Sequence, residues 1–385
     1  MSAPPGGAES LARVRVAFED NFTLGLECGA GLSIWKDGVE RLHLEGGSSD
    51  ASRKMPWSVD TLVLVWSATK GPASACVVHA LAARGLALES PVAGIWPEFS
   101  AAGKAHISFA QILSHRAGLC AVQDRGPRIF DHVAVASALA SQAPAWPPGE
   151  AHGYGPRVFG ILVEEILLRL AGCGCGEYWL RHFAEPLGLD FWIGLPASEH
   201  ARAAQILPSR ASALAGEKTA FEREVAHPGS LANSAFSTPG GLPSPSAMNA
   251  PEVRSACLPA LGGIGSARAL GRFYSMLANG GDGVFQPGIN DVFGLRLSDG
   301  PDLVLQMDTA FSTGFMLDPL AGGVKVRETF GPSISSFGHP GAGGSLAFAD
   351  PENGIAFAYV MNQMEPGVLP RERTRRIVRA LYGTS

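Results

Sequence analysis

The chain is poor in charge for its size: Asp, Glu, Lys and Arg make up 17% of 385 residues, against 46% hydrophobic. That balance excludes intrinsic disorder and fits a folded globule. There is no lysine or arginine block, and a formal net charge of −5 spread along the chain offers no footprint for nucleic acid or an anionic membrane surface. No apolar run reaches the roughly 20 residues that span a bilayer, because the best candidate, Val158–Leu170, carries Glu164, Glu165 and Arg169. Residues 1–9 lack the basic and apolar regions of a secretory signal, so a cytoplasmic location is expected. The six cysteines include no CxxC pair, and Cys173-Gly-Cys175 is the only close spacing. Neither a disulfide framework nor a metal site is expected. No internal repeat of fixed period is present. Ser244 lacks the flanking glycines of a G-x-S-x-G elbow, and Gly262-Gly-Ile-Gly265 lacks both the lysine of a phosphate loop and the spacing of a dinucleotide loop. What remains is a small neutral or weakly charged ligand, with no cofactor; oligomeric state is left open.

What is present is a change of pattern along the chain. Ala8–Asn21 has helical apolar spacing, and the alternating runs around Leu24–Trp35 and Val39–Leu44, joined by Lys36-Asp37-Gly38, predict a hairpin. A loop over Gly46–Trp57 leads to the apolar run Thr61–Trp66 and then to a long helix from Ser67 to about Arg84. From Glu89 to about Pro259 the pattern is mainly helical, clearest at Val133–Ala143, Val158–Ala171 and Glu177–Glu185. Within it Pro208–Pro251, rich in Ala, Ser, Gly and Pro, predicts a long surface loop. A helix near Ala267–Ala278 precedes alternating segments at Leu303–Met307, Thr313–Leu317, Gly344–Ala349 and Ile355–Met361, and a basic helix starts at Arg371. Strands at both ends predict one sheet assembled from both termini.

The chemistry centres on Ser67-Ala-Thr-Lys70, where an extended run enters a helix. A spacing of three puts the hydroxyl and the amine on one helix face. A lysine whose pKa is lowered by burial can take the serine proton and make the oxygen a nucleophile, and a helix N-terminus favours the developing oxyanion. Alone, the spacing recurs by chance, with the serine capping a helix and the lysine in water. Three further segments accompany it in order: Ile112-Leu-Ser-His-Arg-Ala-Gly-Leu119, Pro148-Gly-Glu-Ala-His-Gly-Tyr154 and Phe337-Gly-His-Pro-Gly-Ala-Gly-Gly-Ser345.

With these segments the chain resembles the serine β-lactamase-like superfamily over roughly residues 30–382, most closely class C β-lactamases and family VIII carboxylesterases, with penicillin-binding proteins on the same fold. The resemblance implies an α/β (α+β) architecture: an antiparallel sheet flanked by helices from residues 1–88 and 260–385, a mainly helical lobe inserted at 89–259, and a cleft between them. It implies Ser67, Lys70 and Tyr154 as the catalytic group, with cationic Lys70 favouring the Tyr154 phenolate as base. The N–H groups of Ser67 and Ala342 would form the oxyanion hole. His339-Pro-Gly341 would stand where the family carries a Lys-Thr-Gly triad, with Gly341 letting substrate lie close to the strand and His339 facing substrate or Tyr154. His115 belongs to a structural motif, and His152 is expected as a loop histidine. The family's tyrosine motif usually ends in asparagine, but Tyr154-Gly-Pro156 ends in proline, so an amide contact to lysine or substrate is lost. That departure favours a carboxylesterase acting on short-chain esters through an acyl-enzyme, with slow β-lactam turnover at most. Alternatives on the same fold are an acyltransferase and a D,D-peptidase, the latter needing export. An alternative of another class is a non-catalytic acyl or β-lactam sensor, which would release at most one product per chain.

Overall fold

The computed structural model describes residues 4–210 and 218–384. Its centre is an eight-stranded antiparallel sheet in the order β2-β1-β13-β12-β11-β8-β7-β6. The first two strands, β1 (Gly29–Lys36) and β2 (Val39–Gly47), come from the N-terminal end. The other six come from the C-terminal part: β6 (Ser298–Pro301), β7 (Asp308–Phe311), β8 (Met316–Leu317), β11 (Phe337–Pro340), β12 (Leu346–Asp350) and β13 (Ile355–Met361). The expected assembly from both termini is therefore observed. Its hairpin turn is the one the sequence predicts, with Asp37 and Gly38 at φ 51° and 77°, as a two-residue turn between twisted strands requires.

Alternation along β12 and β13 fits the sheet to its helices. Ala347, Ala349, Ala356, Ala358 and Val360 share a core with the helix Ala267–Ala278, whereas Leu346, Phe348, Ile355, Phe357, Tyr359 and Met361 share one with Val14, Phe18 and Ile377. Small side chains on one face let a helix lie close, and large ones on the other fill a wider gap. The close face is glycine-dependent: a Cβ on Gly271 would stand 2.9 Å from Ser33 Oγ of β1. On the wide face two helices pack together, α1 (Ala8–Thr23) and the C-terminal helix Glu372–Tyr382.

A second, three-stranded sheet joins distant parts of the chain: β3 (Val63–Leu64), β5 (Gly263–Gly265) and β4 (Phe191–Ile193), in the order β3-β5-β4. The glycine-rich run thus supplies, at Gly263–Gly265, the central strand of this sheet. A Cβ on Gly263 would meet Phe191 at 2.6 Å and Thr69 Oγ1 at 2.7 Å, so its glycines serve close packing. A short two-stranded ribbon, β9 (Leu320–Ala321) with β10 (Val324–Lys325), completes the strands.

Helix α2 (Lys70–Ala83) is buried on nearly every side and packs against the helices Val158–Ala171 and Cys175–Trp179. An apolar helix without a polar face belongs inside a protein.

Three expectations are corrected. The segment Leu303–Met307 is a turn rather than a strand, because Asp302 accepts hydrogen bonds from the N–H groups of Val304 (2.8 Å) and Leu305 (2.9 Å). Of Pro208–Pro251, residues 211–217 lie outside those described; the rest is not one continuous loop but holds two helices, Ala220–Ala226 and Leu231–Ser237, and a 3₁₀ turn at Pro245–Asn249. Side-chain caps from Thr219 and Ser230 start the first two, and such caps are easily missed in a segment read by composition. The helix expected from Ser67 begins at Lys70, preceded by a 3₁₀ turn over Trp66–Thr69. Among the described residues no helix is long and apolar enough to cross a membrane.

Candidate active site

Ser67 stands in that 3₁₀ turn, partly exposed, one residue after a backbone outlier: Trp66 has φ 51°. A left-handed non-glycine residue costs on the order of 1–3 kcal/mol and persists only where its surroundings hold it. Here they do. Thr69 Oγ1 donates to the Trp66 carbonyl and accepts from the N–H of Gly263 at 2.8 Å, and the Val65 N–H donates to Gly263 O at 2.9 Å.

Lys70 begins α2, fully buried, with Nζ 3.4 Å from Ser67 Oγ. The same nitrogen donates to the carbonyls of Ala260 (2.8 Å) and Pro156 (3.1 Å). Burial, with no carboxylate to offset it, holds its pKa well below the usual lysine value. When unprotonated, such an amine has two hydrogens for the two carbonyls and a lone pair that can take the serine proton. The Pro156 backbone supplies a lysine contact at the position where the family's tyrosine motif carries an asparagine side chain.

Tyr154 comes from the loop before the helix Val158–Ala171, and its ring centre lies 4.9 Å from Lys70 Nζ. Its backbone N–H donates to Asp302 (3.1 Å to Oδ1), a buried carboxylate that also accepts from Thr309 Oγ1 at 3.0 Å. The next residue's N–H donates to His115 Nδ1 at 3.2 Å. Phe311 stacks on the phenol ring at 6.0 Å. Burial raises the phenol above its ordinary pKa, and the Ser67 hydroxyl only partly opposes this. Burial thus works against the charged form of both groups, raising the phenol and lowering the amine.

The opposite wall is the end of β11 and the turn after it. His339 is buried beside Tyr154, ring centres 5.9 Å apart. Its Nδ1–H donates to Pro340 O at 2.7 Å, and Nε2 is buried without a partner. Burial and nearby Lys70 push its pKa down to about 3, so the ring is neutral near pH 7. Ala342, partly exposed, borders the same pocket as Ser67 and Tyr154. A Cβ on Gly341 would lie 2.1 Å from the Val65 carbonyl oxygen, so the missing side chain makes room for the backbone that leads from β3 to Ser67. Gly341→Ala should force the turn away from Ser67: ester turnover should fall about 10²-fold and the melting temperature should drop, both measurable on the purified variant.

The structure brings together all six residues singled out in the sequence. His115 and His152 are buried supports, the latter holding Thr309 Oγ1 through Nε2 at 2.9 Å. Sequence reasoning missed Asp302, which fixes both the Tyr154 backbone and the turn after β6. Its signal was the Gly300-Pro-Asp302 run, a turn signature. It also missed the partitioned cleft. Phe236, Leu305, Met316, Val368 and Leu369 narrow the space beside Tyr154 to about 40 Å³. On the other side of Ser67, a cavity of about 250 Å³ is lined mainly by Trp66, Leu242, Pro243, Pro245, Met248 and Leu261.

The sequence profile of the family described as Beta-lactamase matches residues 18–382. The chain is similar to the protein named Esterase/beta-lactamase LipL of Mycobacterium tuberculosis, 33% identical over 345 residues, covering 87% of this chain and 77% of the relative. Among solved structures it is similar to a family VIII carboxylesterase, with TM-score 0.84 and 32% identity over 99% of both chains. It is also similar to a penicillin-binding protein homologue from Caulobacter crescentus, with TM-score 0.84 and 35% identity over 100% of this chain and 99% of that one.

Proposed function

Because the chain belongs to the beta-lactamase family, we propose that it is a serine carboxylesterase that cleaves short-chain esters through an acyl-enzyme on Ser67. The observation carrying the reading is a fully buried amine, its pKa lowered by burial, 3.4 Å from a partly exposed hydroxyl. The names of similar proteins, an esterase/beta-lactamase and a family VIII carboxylesterase, support hydrolysis of the esterase type.

In this reading Ser67 Oγ–H passes its proton to Lys70 Nζ as the oxygen bonds to the acyl carbon. The carbonyl oxygen, now an anion, is held by the N–H groups of Ser67 and Ala342; each such donor supplies about 10²–10³-fold in rate. The tetrahedral adduct collapses as the ester C–O bond breaks. Tyr154 gives its phenolic proton to the departing alcohol and takes one back from Lys70. Water then follows the same relay in reverse: its proton moves through Tyr154 to Lys70 as its oxygen bonds to the acyl carbon, the Ser67 C–O bond breaks as Lys70 returns the proton to Ser67 Oγ, and the acid leaves. Proton transfer of this kind contributes about 10²–10⁴-fold, so Tyr154→Phe should lower kcat by about 10²-fold in a steady-state ester assay. The cleft belongs to the proposed division into a sheet lobe, 1–88 and 260–385, and a mainly helical lobe, 89–259.

The narrow space beside Tyr154 suits a small leaving alcohol, and the apolar cavity across Ser67 suits an uncharged acyl chain. Arg157, the one cation on that wall, is occupied with the carbonyls of Pro239 (2.8 Å) and Leu242 (3.3 Å). The test is a time course with p-nitrophenyl esters of graded acyl length and with nitrocefin, with mass analysis of the quenched protein. Many turnovers of the short esters, little of nitrocefin, and an acyl adduct on the Ser67 peptide are expected. A single product per chain would mean a sensor instead, and turnover with an adduct elsewhere would overturn the serine assignment.

A further inference from the structure

The turn that carries Ala342 is gripped from behind by the C-terminal helix, α3 (Glu372–Tyr382). Arg373 in its first turn is completely buried. Its guanidinium donates to Gly343 O at 2.6 Å, Gln363 O at 2.8 Å and Leu26 O at 3.1 Å. The adjacent Thr374, equally buried, donates through Oγ1 to Gly344 O at 2.7 Å. Two consecutive carbonyls, immediately after Ala342, are thus fixed by two consecutive side chains. The turn needs such support: Gly343 and Gly344 lie at φ 90° and 120°, and glycine imposes little conformational preference of its own.

A buried guanidinium is tolerated only with an anionic partner. Glu27 Oε1 lies 3.1 Å from Arg373 Nε, both side chains are fully buried, and the Tyr359 hydroxyl donates to the same oxygen. Glu365 adds a second carboxylate at 3.6 Å. A network of Glu27 from the segment before β1, Tyr359 from β13, Glu365 from the segment after β13 and Arg373 from α3 therefore converges on the back of one glycine turn.

We propose that Arg373 and Thr374, with Glu27 as counter-ion, are positioning residues for the oxyanion-binding turn, holding Gly343 and Gly344 so that the Ala342 N–H stays aimed beside Ser67. This rests on the reading of Ser67 and Ala342 given above. Such a grip acts on the transition state, where the oxyanion forms, rather than on ground-state substrate binding. The signature is a loss of kcat with KM preserved.

The test is steady-state kinetics with p-nitrophenyl acetate on Arg373→Lys, Thr374→Val and Thr374→Ser, beside Arg375→Ala on the exposed face of the same helix and Ser67→Ala, each with a thermal melt. Arg373→Lys should lower kcat about 10²-fold and Thr374→Val about tenfold, as displacements of an ångström or less at a reacting centre do, with KM within about twofold. Thr374→Ser, which keeps the hydroxyl, should recover most of kcat, and Arg375→Ala should match wild type. Should Arg373→Lys fail to fold, the Thr374 pair decides. Wild-type kcat in folded Thr374→Val, or a raised KM with kcat unchanged, overturns the proposal. If Ser67→Ala is inactive while these variants are not impaired, only the positioning inference falls; if Ser67→Ala stays active, the underlying reading falls with it.

Discussion

Ser67→Ala should abolish ester turnover, lowering kcat by about 10⁵–10⁶-fold, the scale of loss when a nucleophile is removed from a catalytic unit that acts as one. The size follows from the geometry. Lys70 and Tyr154 act only on protons that the Ser67 oxygen gives up or receives, so without that oxygen the amine and phenol have nothing to exchange. The oxyanion donors should remain, because both are backbone N–H groups. The variant should therefore still bind ester, with a dissociation constant near the wild-type value, and should fold normally since the hydroxyl is partly exposed. Product release measured against a buffer blank checks the first point, and competition with a fluorogenic ester the second. Undiminished cleavage would remove Ser67 from the mechanism.

Lys70→Met should cost about 10⁴-fold in kcat, at the upper end of what a general base contributes, and should at the same time raise the melting temperature by about 1–3 °C. The two effects share one cause. In the unfolded chain Lys70 titrates at its ordinary 10.5, whereas burial in the fold holds it well below that. A base whose folded pKa is depressed contributes full stability above the unfolded pKa and loses it as pH falls toward the folded one. Near pH 7 this lysine therefore weakens the fold, and a methionine of similar length does not. The thermal gain should shrink in alkaline buffer, where the amine is neutral in both states. By the same sign, wild-type kcat should fall as pH drops through the depressed Lys70 pKa, because protonation fills the lone pair that faces Ser67. A variant both less active and less stable, with no pH dependence in the difference, would contradict the neutral-amine assignment.

The fold was legible where local pattern and tertiary environment agree. Ile355–Met361 reads as a strand and is one, β13, because its alternation of large and alanine positions is what two unequal faces require. Asp37-Gly38 announced its hairpin for the same reason. The pattern misled where a single side chain overrides it. Leu303–Met307 has apolar residues enough for a strand, yet one carboxylate at 302 bends it into a turn. Gly262–Gly265 has the glycine content of a ligand loop, yet Gly263 and Gly265 leave room for Phe191 and Thr69 against the backbone.

The site divides similarly. Ser67 and Lys70 were readable because their meeting is a property of one helical turn. Tyr154, His339 and Ala342 came from resemblance, since nothing local reports that residues 84 and more positions apart will converge. Protonation states were not readable at all: whether amine or phenol holds the proton depends on burial, which the spacing of letters does not encode. The contact of Gly341 with Val65 was unreadable for a related reason, because a missing side chain can make room for either ligand or backbone.

The unequal walls of the cleft have a consequence for how such a protein can diversify. Lys70 begins α2, Tyr154 is stacked on Phe311 of β7, and the turn after β11 has no room for a side chain at Gly341 against Val65. The larger cavity is walled instead by Leu242, Pro243, Pro245 and Met248, from a segment outside both sheets. Libraries confined to those positions should broaden or narrow substrate choice while the reaction centre stays as it is, so that selectivity and catalytic competence become separately evolvable traits.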